Sequence, residues 1–141
     1  MELSSGQLVR YIGIDTPEVR RRARPGDREW RAEEGNSWVM DPEPMGLEAA
    51  EFNRRLVEGK HVRLEYDVQT HDRFGRLLAY VYVSPKGGSA SSGGETMVNA
   101  ELVRLGFAQL LTIPPDVKYA DRFRALAEEA RRDKRGLWRG R

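Results

Sequence analysis

The stretch VRYIGIDTPEVR, residues 9–20, joins the pattern of a β-strand to that of a polar turn. Its apolar residues favour a strand over residues 8–14, and the Asp-Thr-Pro sequence that follows is typical of a turn. Arg10 lies inside the strand, whereas Asp15 and Glu18 lie in the turn. A strand that runs into a polar turn explains this pattern without any function. A functional interpretation therefore needs a second group of residues elsewhere in the chain.

The length and composition predict a single domain, residues 1–141, without disulfide bridges. A chain of 141 residues is long enough for one hydrophobic core but not for two. The absence of cysteine excludes disulfides, thiolate metal sites and a cysteine nucleophile. The sequence has no run of about 18 apolar residues, so we expect no membrane span.

Arginine dominates the basic residues. The net charge is only +2, with 24 basic residues, of which the lysines are Lys60, Lys86, Lys118 and Lys134. Because the planar guanidinium binds phosphate through two hydrogen bonds, this bias fits a protein that handles phosphate groups. A GC-rich genome produces the same bias without any function, and composition alone does not separate the two explanations.

The remaining chain predicts helices and short strands. Apolar residues at helical spacing predict three helices, over residues 45–58, 100–105 and 119–135. Alternating and β-branched residues predict two further strands, over residues 61–67 and 76–83. Asn99 is a favourable residue for capping the second helix.

Two segments are predicted to be loops. Residues 19–44 are polar and irregular, and we expect a long loop there. Residues 84–96 are rich in glycine and serine, which indicates a flexible surface loop. The order of elements lacks a βαβ rhythm, so the fold class is predicted to be α+β, with helices packed on a small antiparallel sheet or barrel.

A second group of residues occurs in HDRFGRLLAY, residues 71–80, where Arg76 begins a strand after a glycine turn. Phosphodiester hydrolysis needs donors for the charge on phosphorus, a cation and a base that activates water. Arg10 and Arg76 suit the first role, and Asp15 is a hard oxygen ligand for calcium. Glu18, three residues further on, suits the role of base.

Six stretches of the chain together carry a family resemblance. They are VRYIGIDTPE (9–18), GLEAAEFNRRLVEGK (46–60), VRLEYD (62–67), DRFGRLLAYVYV (72–83), MVNAELVRLGFAQL (97–110) and RDKRGLW (132–138). This ordered set resembles the staphylococcal nuclease, or thermonuclease, family, and it covers most of residues 9–138. The resemblance implies an OB-fold-like β-barrel of five strands with three helices packed on it, and a calcium-dependent endonuclease that hydrolyses DNA and RNA.

The resemblance also implies roles for individual residues. Arg10 and Arg76 match arginines that contact the scissile phosphate, and Glu18 matches the proposed general base. Asp15 matches a residue that binds the metal through its side chain, and Thr16 one that does so through its carbonyl. The metal is calcium or another divalent cation.

Two more positions bear on the substrate. Arg73 and Phe74 fall where the family has a phosphate-contacting lysine and a tyrosine near the nucleotide. The alternative function is a non-catalytic module of the same fold that binds nucleic acid or protein. The joint presence of Arg10, Glu18 and Arg76 favours the enzyme, because a binding module has no need for a base and two phosphate clamps.

The sequence departs from the family pattern at the nucleotide pocket and at its start. Thr112 and Pro114 align with two tyrosines that line the pocket in the best-known member, so base stacking should be weaker or differently built. The family's first strand, and an aspartate-rich turn that supplies another metal ligand, have no counterpart before Leu8. We therefore expect an N-terminally truncated domain, with roughly 25 to 40 further residues encoded upstream. The family implies an exported protein, monomeric when complete, although residues 1–9 lack the regions of a signal peptide.

Overall fold

The computed structural model describes residues 1–17, 20–22, 25, 38–40, 44–84 and 94–140. Its strands are β1 (Val9–Tyr11), β2 (Gly13–Asp15), β3 (Arg20–Arg22), β4 (Trp38–Met40), β5 (Val62–Glu65), β6 (Leu77–Val83), β7 (Thr96–Met97) and β8 (Gln109–Leu111). Its helices are α1 (Gly46–Val57), α2 (Val98–Arg104) and α3 (Ala120–Arg132), followed by a 3-10 turn at Gly136–Trp138. Within these ranges no helix is both long and apolar enough to cross a membrane.

Strand β6 is the centre of the main sheet. It pairs in parallel with β1, where Arg10 lies opposite Leu78, and antiparallel with β5 and β7. Strands β2 and β8 form a second antiparallel ladder, and β3 and β4 a third. The α+β class and the three helices are confirmed. The described strands form three separate sheets instead of the closed barrel that the resemblance implied.

The predicted strand over residues 8–14 is in fact two strands. The chain turns at Gly13, which has a φ of 84°. A Cβ atom on this glycine would lie 2.7 Å from a ring carbon of Phe123, so the close approach of α3 also requires glycine here. The prediction of one strand was wrong because β1 pairs with β6, whereas β2 pairs with β8.

The predicted loops also differ from the structure. Strands β3 and β4 pair with each other inside the segment 19–44, so this segment is not wholly a loop. In the segment 84–96, residue Thr96 already belongs to β7. Residues 85–93 lie outside the described part of the chain.

The hydrophobic core lies between β6 and the helices α2 and α3. Tyr80 and Val81 of β6 are almost completely buried, as are Leu102 and Val103 of α2 and Phe123 of α3. The near-continuous apolar sequence of β6 follows from its central position, since both of its faces are covered. Strand β6 therefore fixes the positions of the residues that pair with it or pack on it.

A buried amide side chain in α2 links three parts of the fold. Asn99 was predicted to cap a helix, but it lies inside α2, and its side chain is fully buried. Its Nδ2 donates to the carbonyl oxygens of Ile12, at 3.0 Å, and Ala79, at 3.2 Å, and its Oδ1 accepts from the N–H of Val81 at 2.9 Å. The side chain thus ties α2 to β6 and to the turn between β1 and β2.

The end of β5 is tied to the segment that precedes α3. The carboxylate of Glu65 accepts hydrogen bonds from the hydroxyls of Tyr82 and Tyr119, both at 2.8 Å, and forms an ion pair with Lys118. Burial alone raises the pKa of Glu65, but these interactions outweigh it, and the pKa lies below its ordinary value. Residues 65 and 118–119 are therefore held together.

We predict that Asn99→Ala lowers the free energy of unfolding by about 2 to 4 kcal/mol, because it leaves one buried N–H and two buried carbonyls without this partner. Urea unfolding at neutral pH measures the loss. As a control on the same helix, Glu101→Ala removes the ion pair with Arg104 and should cost about 0.5 kcal/mol. Equal losses for the two variants would contradict a structural role for the amide.

Candidate functional site

A cavity of about 200 Å³ opens where β1, β2, β8 and the turn before β6 meet. Three arginines line it: Arg10 of β1, Arg73 of the turn and Arg76 next to β6. Two carboxylates, Asp72 and Asp116, line it as well. The structure therefore brings together the three arginines to which the sequence assigned a site role.

The cavity also has an apolar wall that is exposed to solvent. Phe74 is 70% exposed, Ile113 57% and Leu111 38%. The guanidinium carbon of Arg73 lies 4.9 Å from the centroid of the Phe74 ring, and that of Arg76 lies 5.6 Å from it. Guanidinium groups and a flat aromatic ring thus lie on one surface. This combination suits a nucleotide, which has an anionic phosphate and a flat base.

Arg10 is held by the backbone of its own turn. Its Nη1 donates to the carbonyl oxygen of Tyr11 at 2.7 Å and to that of Ile14 at 3.1 Å. These two carbonyls flank the break between β1 and β2. The bend at Gly13 therefore creates the acceptors that orient this guanidinium toward the cavity it lines.

Asp72 organises the turn that carries the other two arginines. Its carboxylate accepts from the N–H groups of Phe74, at 2.9 Å, and Arg76, at 3.0 Å, and from Arg76 Nε at 2.7 Å. Burial raises the pKa of Asp72, but the hydrogen bonds from Arg76 and Phe74 outweigh it, so that its pKa lies below the ordinary value. One carboxylate therefore shapes the turn and positions Arg76.

The predicted metal ligands lie beside the cavity and not in its lining. Asp15 is exposed at the end of β2, opposite Gln109 of β8, and Thr16 follows it. Glu18 lies outside the described residues. Among the residues that are described, no group of three or more acidic or histidine side chains could hold a metal ion. Asp15 and the Thr16 carbonyl offer oxygen donors, the ligand type that calcium prefers, but they are too few for a complete protein site.

Sequence reasoning missed the wall of the cavity that β8 and the next turn supply. Gln69, Leu111, Ile113 and Asp116 line the cavity but were not predicted to do so. The N–H of Gln69 donates to Asp116 Oδ1 at 2.7 Å, which joins the segment after β5 to this turn. The apolar run up to Ile113, followed by two prolines, was the available signal of a strand that ends in a turn.

Comparison with known proteins matches residues 8–140 to the family model described as staphylococcal nuclease homologue. This chain belongs to the staphylococcal nuclease family. The resemblance that the sequence motifs carried is therefore confirmed. Leu111 and Ile113 stand next to Thr112 and Pro114, the two positions that the sequence analysis aligned with tyrosines of the staphylococcal nuclease family. Aliphatic side chains thus line the cavity on that side.

Several named nucleases are similar to almost the whole of this staphylococcal nuclease family chain. A thermonuclease of Staphylococcus hyicus is 33% identical over 94% of this chain and 63% of its own length. The endonuclease YncB of Bacillus subtilis is 35% identical over 92% of this chain and 50% of its own length. A thermonuclease of Staphylococcus intermedius is 30% identical, with 94% and 63% covered. The chain thus spans less than two thirds of these relatives.

We predict that Asp72→Asn destabilises the protein in a pH-dependent manner. Asparagine keeps an acceptor for the two N–H groups but loses the charge that faces Arg76. Because the pKa of Asp72 is lowered by folding, its charge contributes stability above the unfolded-state pKa, and this contribution is lost as the pH falls through the folded-state pKa. The variant should be about 1 kcal/mol less stable than the wild type near pH 7.

The difference should shrink as the pH falls below the ordinary aspartate pKa of about 3.9, and it should vanish only below the lowered folded-state pKa, at about pH 2. Urea unfolding at both pH values measures it. A difference of the same size at both values would mean that the charge of Asp72 does not stabilise the turn.

Proposed function

We propose that this chain is a nuclease, an enzyme that hydrolyses phosphodiester bonds in DNA, RNA or both. The observation that carries the proposal is the convergence of Arg10, Arg73 and Arg76 on one cavity with an exposed apolar wall. The names of the relatives, thermonuclease and endonuclease, support it.

The arginines suit the binding of a phosphate group in two ways. A guanidinium donates two parallel hydrogen bonds to phosphate oxygens, and its charge persists at any physiological pH. In addition, the contacts of Arg10 with carbonyls and of Arg76 with Asp72 hold both side chains before substrate arrives. Donors held in this way stabilise the charge that develops on the pentacoordinate phosphorus without having to reorganise.

The proposed base is Glu18, on the segment that leaves β2. When a carboxylate accepts a proton from water, the oxygen of that water becomes more nucleophilic toward phosphorus. Phe74 and the aliphatic wall of Leu111 and Ile113 are proposed to contact the base or sugar of the bound nucleotide.

Calcium is the proposed cofactor, with other divalent cations as substitutes. Asp15 and the Thr16 carbonyl would hold it, and because calcium takes six to eight oxygen ligands, water and substrate would supply most of the remainder. When bound, a divalent cation neutralises charge on a phosphate oxygen and lowers the pKa of coordinated water. With so few protein ligands, we expect weak binding of calcium.

We predict that Arg76→Lys lowers the turnover of single-stranded DNA in calcium by about a hundredfold to a thousandfold. Lysine keeps the positive charge but lacks the planar guanidinium that donates two parallel hydrogen bonds. Release of acid-soluble nucleotides measures it, and a chelator should abolish the wild-type activity. Arg63→Lys is the matched control, since Arg63 pairs with Glu95 and does not line the cavity. A wild-type chain that binds DNA without cutting it would favour the non-catalytic module.

We predict different defects for the proposed base and the proposed metal ligand. Glu18→Gln should lower the rate by about a hundredfold or more while changing the affinity for calcium only a few fold. Asp15→Asn should weaken calcium binding by roughly tenfold or more, because it removes a charged oxygen ligand. Calcium titrations, followed by calorimetry and by activity, separate the two effects. The opposite pattern would exchange the two roles.

A further inference from the structure

Two exposed valines lie outside the cavity, and they form what we call the valine pair: Val68, 71% exposed, and Val117, 46% exposed. Isolated exposed apolar residues are common on protein surfaces and need no explanation. The valine pair differs because its two members come from distant parts of the chain and are held side by side.

Two hydrogen bonds bracket the valine pair. The N–H of Lys118 donates to Asp67 Oδ2 at 3.0 Å, and the N–H of Gln69 donates to Asp116 Oδ1 at 2.7 Å. The residues on both sides of each valine are thus connected to those on both sides of the other. Asp67 Oδ2 also accepts from the hydroxyl of the buried Tyr80 at 2.7 Å, which anchors this arrangement to the core.

The valine pair adjoins residues that line the cavity. Gln69 and Asp116, which directly adjoin the two valines in the chain, both line the cavity. The N–H of Asp116 donates to the carbonyl oxygen of Ile113 at 3.1 Å, and Ile113 is an exposed residue of the same wall. The valine pair therefore lies directly next to the cavity in both segments of the chain, and the polar residues Gln69 and Asp116 separate it from the apolar wall.

We propose that the valine pair is a second contact surface for an unpaired nucleic-acid strand, which takes the base or sugar of a nucleotide next to the one in the cavity. This inference rests on the proposed nuclease function and extends it to a longer substrate. The occupant follows from the distribution of charge. The three arginines of the cavity suit a phosphate, and the exposed valines beside the cavity suit an apolar group, so a polymer that carries both phosphates and bases matches the two features together.

A paired strand does not satisfy the same surface. In a duplex the bases are stacked and paired, so only phosphates and groove edges are available to a shallow apolar site. An unpaired strand instead exposes base faces at each nucleotide, and apolar contacts with them are tolerant of sequence. Because the hydrogen bonds around the valine pair already order its backbone, binding there costs little further conformational entropy.

The test compares the binding of a thymidine dinucleotide and an octanucleotide by fluorescence anisotropy, in a chelator so that neither is cut. The variant Val68→Ser/Val117→Ser should bind the octanucleotide roughly fivefold more weakly than the wild type does, because apolar contact is lost. Its affinity for the dinucleotide should be unchanged. Leu47→Ser is the control, since Leu47 is a 53% exposed apolar residue of α1 that does not line the cavity.

The outcomes separate this inference from the proposed function. If the wild type binds both strands, and the double variant binds them equally well or loses both to the same extent, the valine pair is not a second contact surface. If the wild type neither binds nor, in calcium, cuts single-stranded DNA, the nuclease proposal itself fails. A wild type that is dimeric by light scattering, with a monomeric double variant of unchanged affinity, would assign the valine pair to self-association and overturn the inference.

Discussion

The hydrogen bonds of the buried Asn99 amide are the constraint on which the geometry of the site depends. They hold the carbonyl of Ile12, two residues after Arg10, against β6, the strand that Arg76 precedes. Among uncharged side chains, only an amide donates two hydrogen bonds while it accepts another. An apolar residue of similar size would remove these hydrogen bonds from the buried carbonyl of Ile12 and the buried N–H of Val81. The distance between the two arginines therefore depends on a residue that is far from any substrate.

Two of the arginines in the site also form hydrogen bonds within the protein. Arg10 binds two backbone carbonyls, and Arg76 binds Asp72. These contacts remove conformational freedom from long side chains during folding, so that less is lost when a phosphate binds. The carboxylate of Asp72 also offsets part of the positive charge. The candidate site thus relies on the placement of its donors more than on net charge, in agreement with an overall charge of only +2.

The apolar part of the candidate site is largely aliphatic. Leu111 of β8 and Ile113 of the following turn line the cavity, in agreement with the expectation that base stacking is weaker or differently built, and the valine pair lies beside the cavity. Aliphatic contacts lack the stacking geometry of aromatic rings, so each contributes less to binding. A surface that spans more than one nucleotide compensates for weak individual contacts. According to this proposal, the affinity for a substrate strand increases with the number of nucleotides that contact the protein.

The sequence by itself determined the α+β class and the approximate bounds of α1, β5, β6 and α3, because these follow from local periodicity. It also singled out the three arginines that line the cavity, Arg10 and Arg76 from the chemistry of their residue type and Arg73 from the family resemblance. Only the tertiary structure decided that the first predicted strand breaks at Gly13, where φ is 84° and the Phe123 ring leaves no room for a Cβ. It also decided that Asn99 holds the sheet instead of capping a helix, and that Leu111 and Ile113 face the cavity. The physical reason is that these roles depend on partners distant in sequence, which local patterns do not encode.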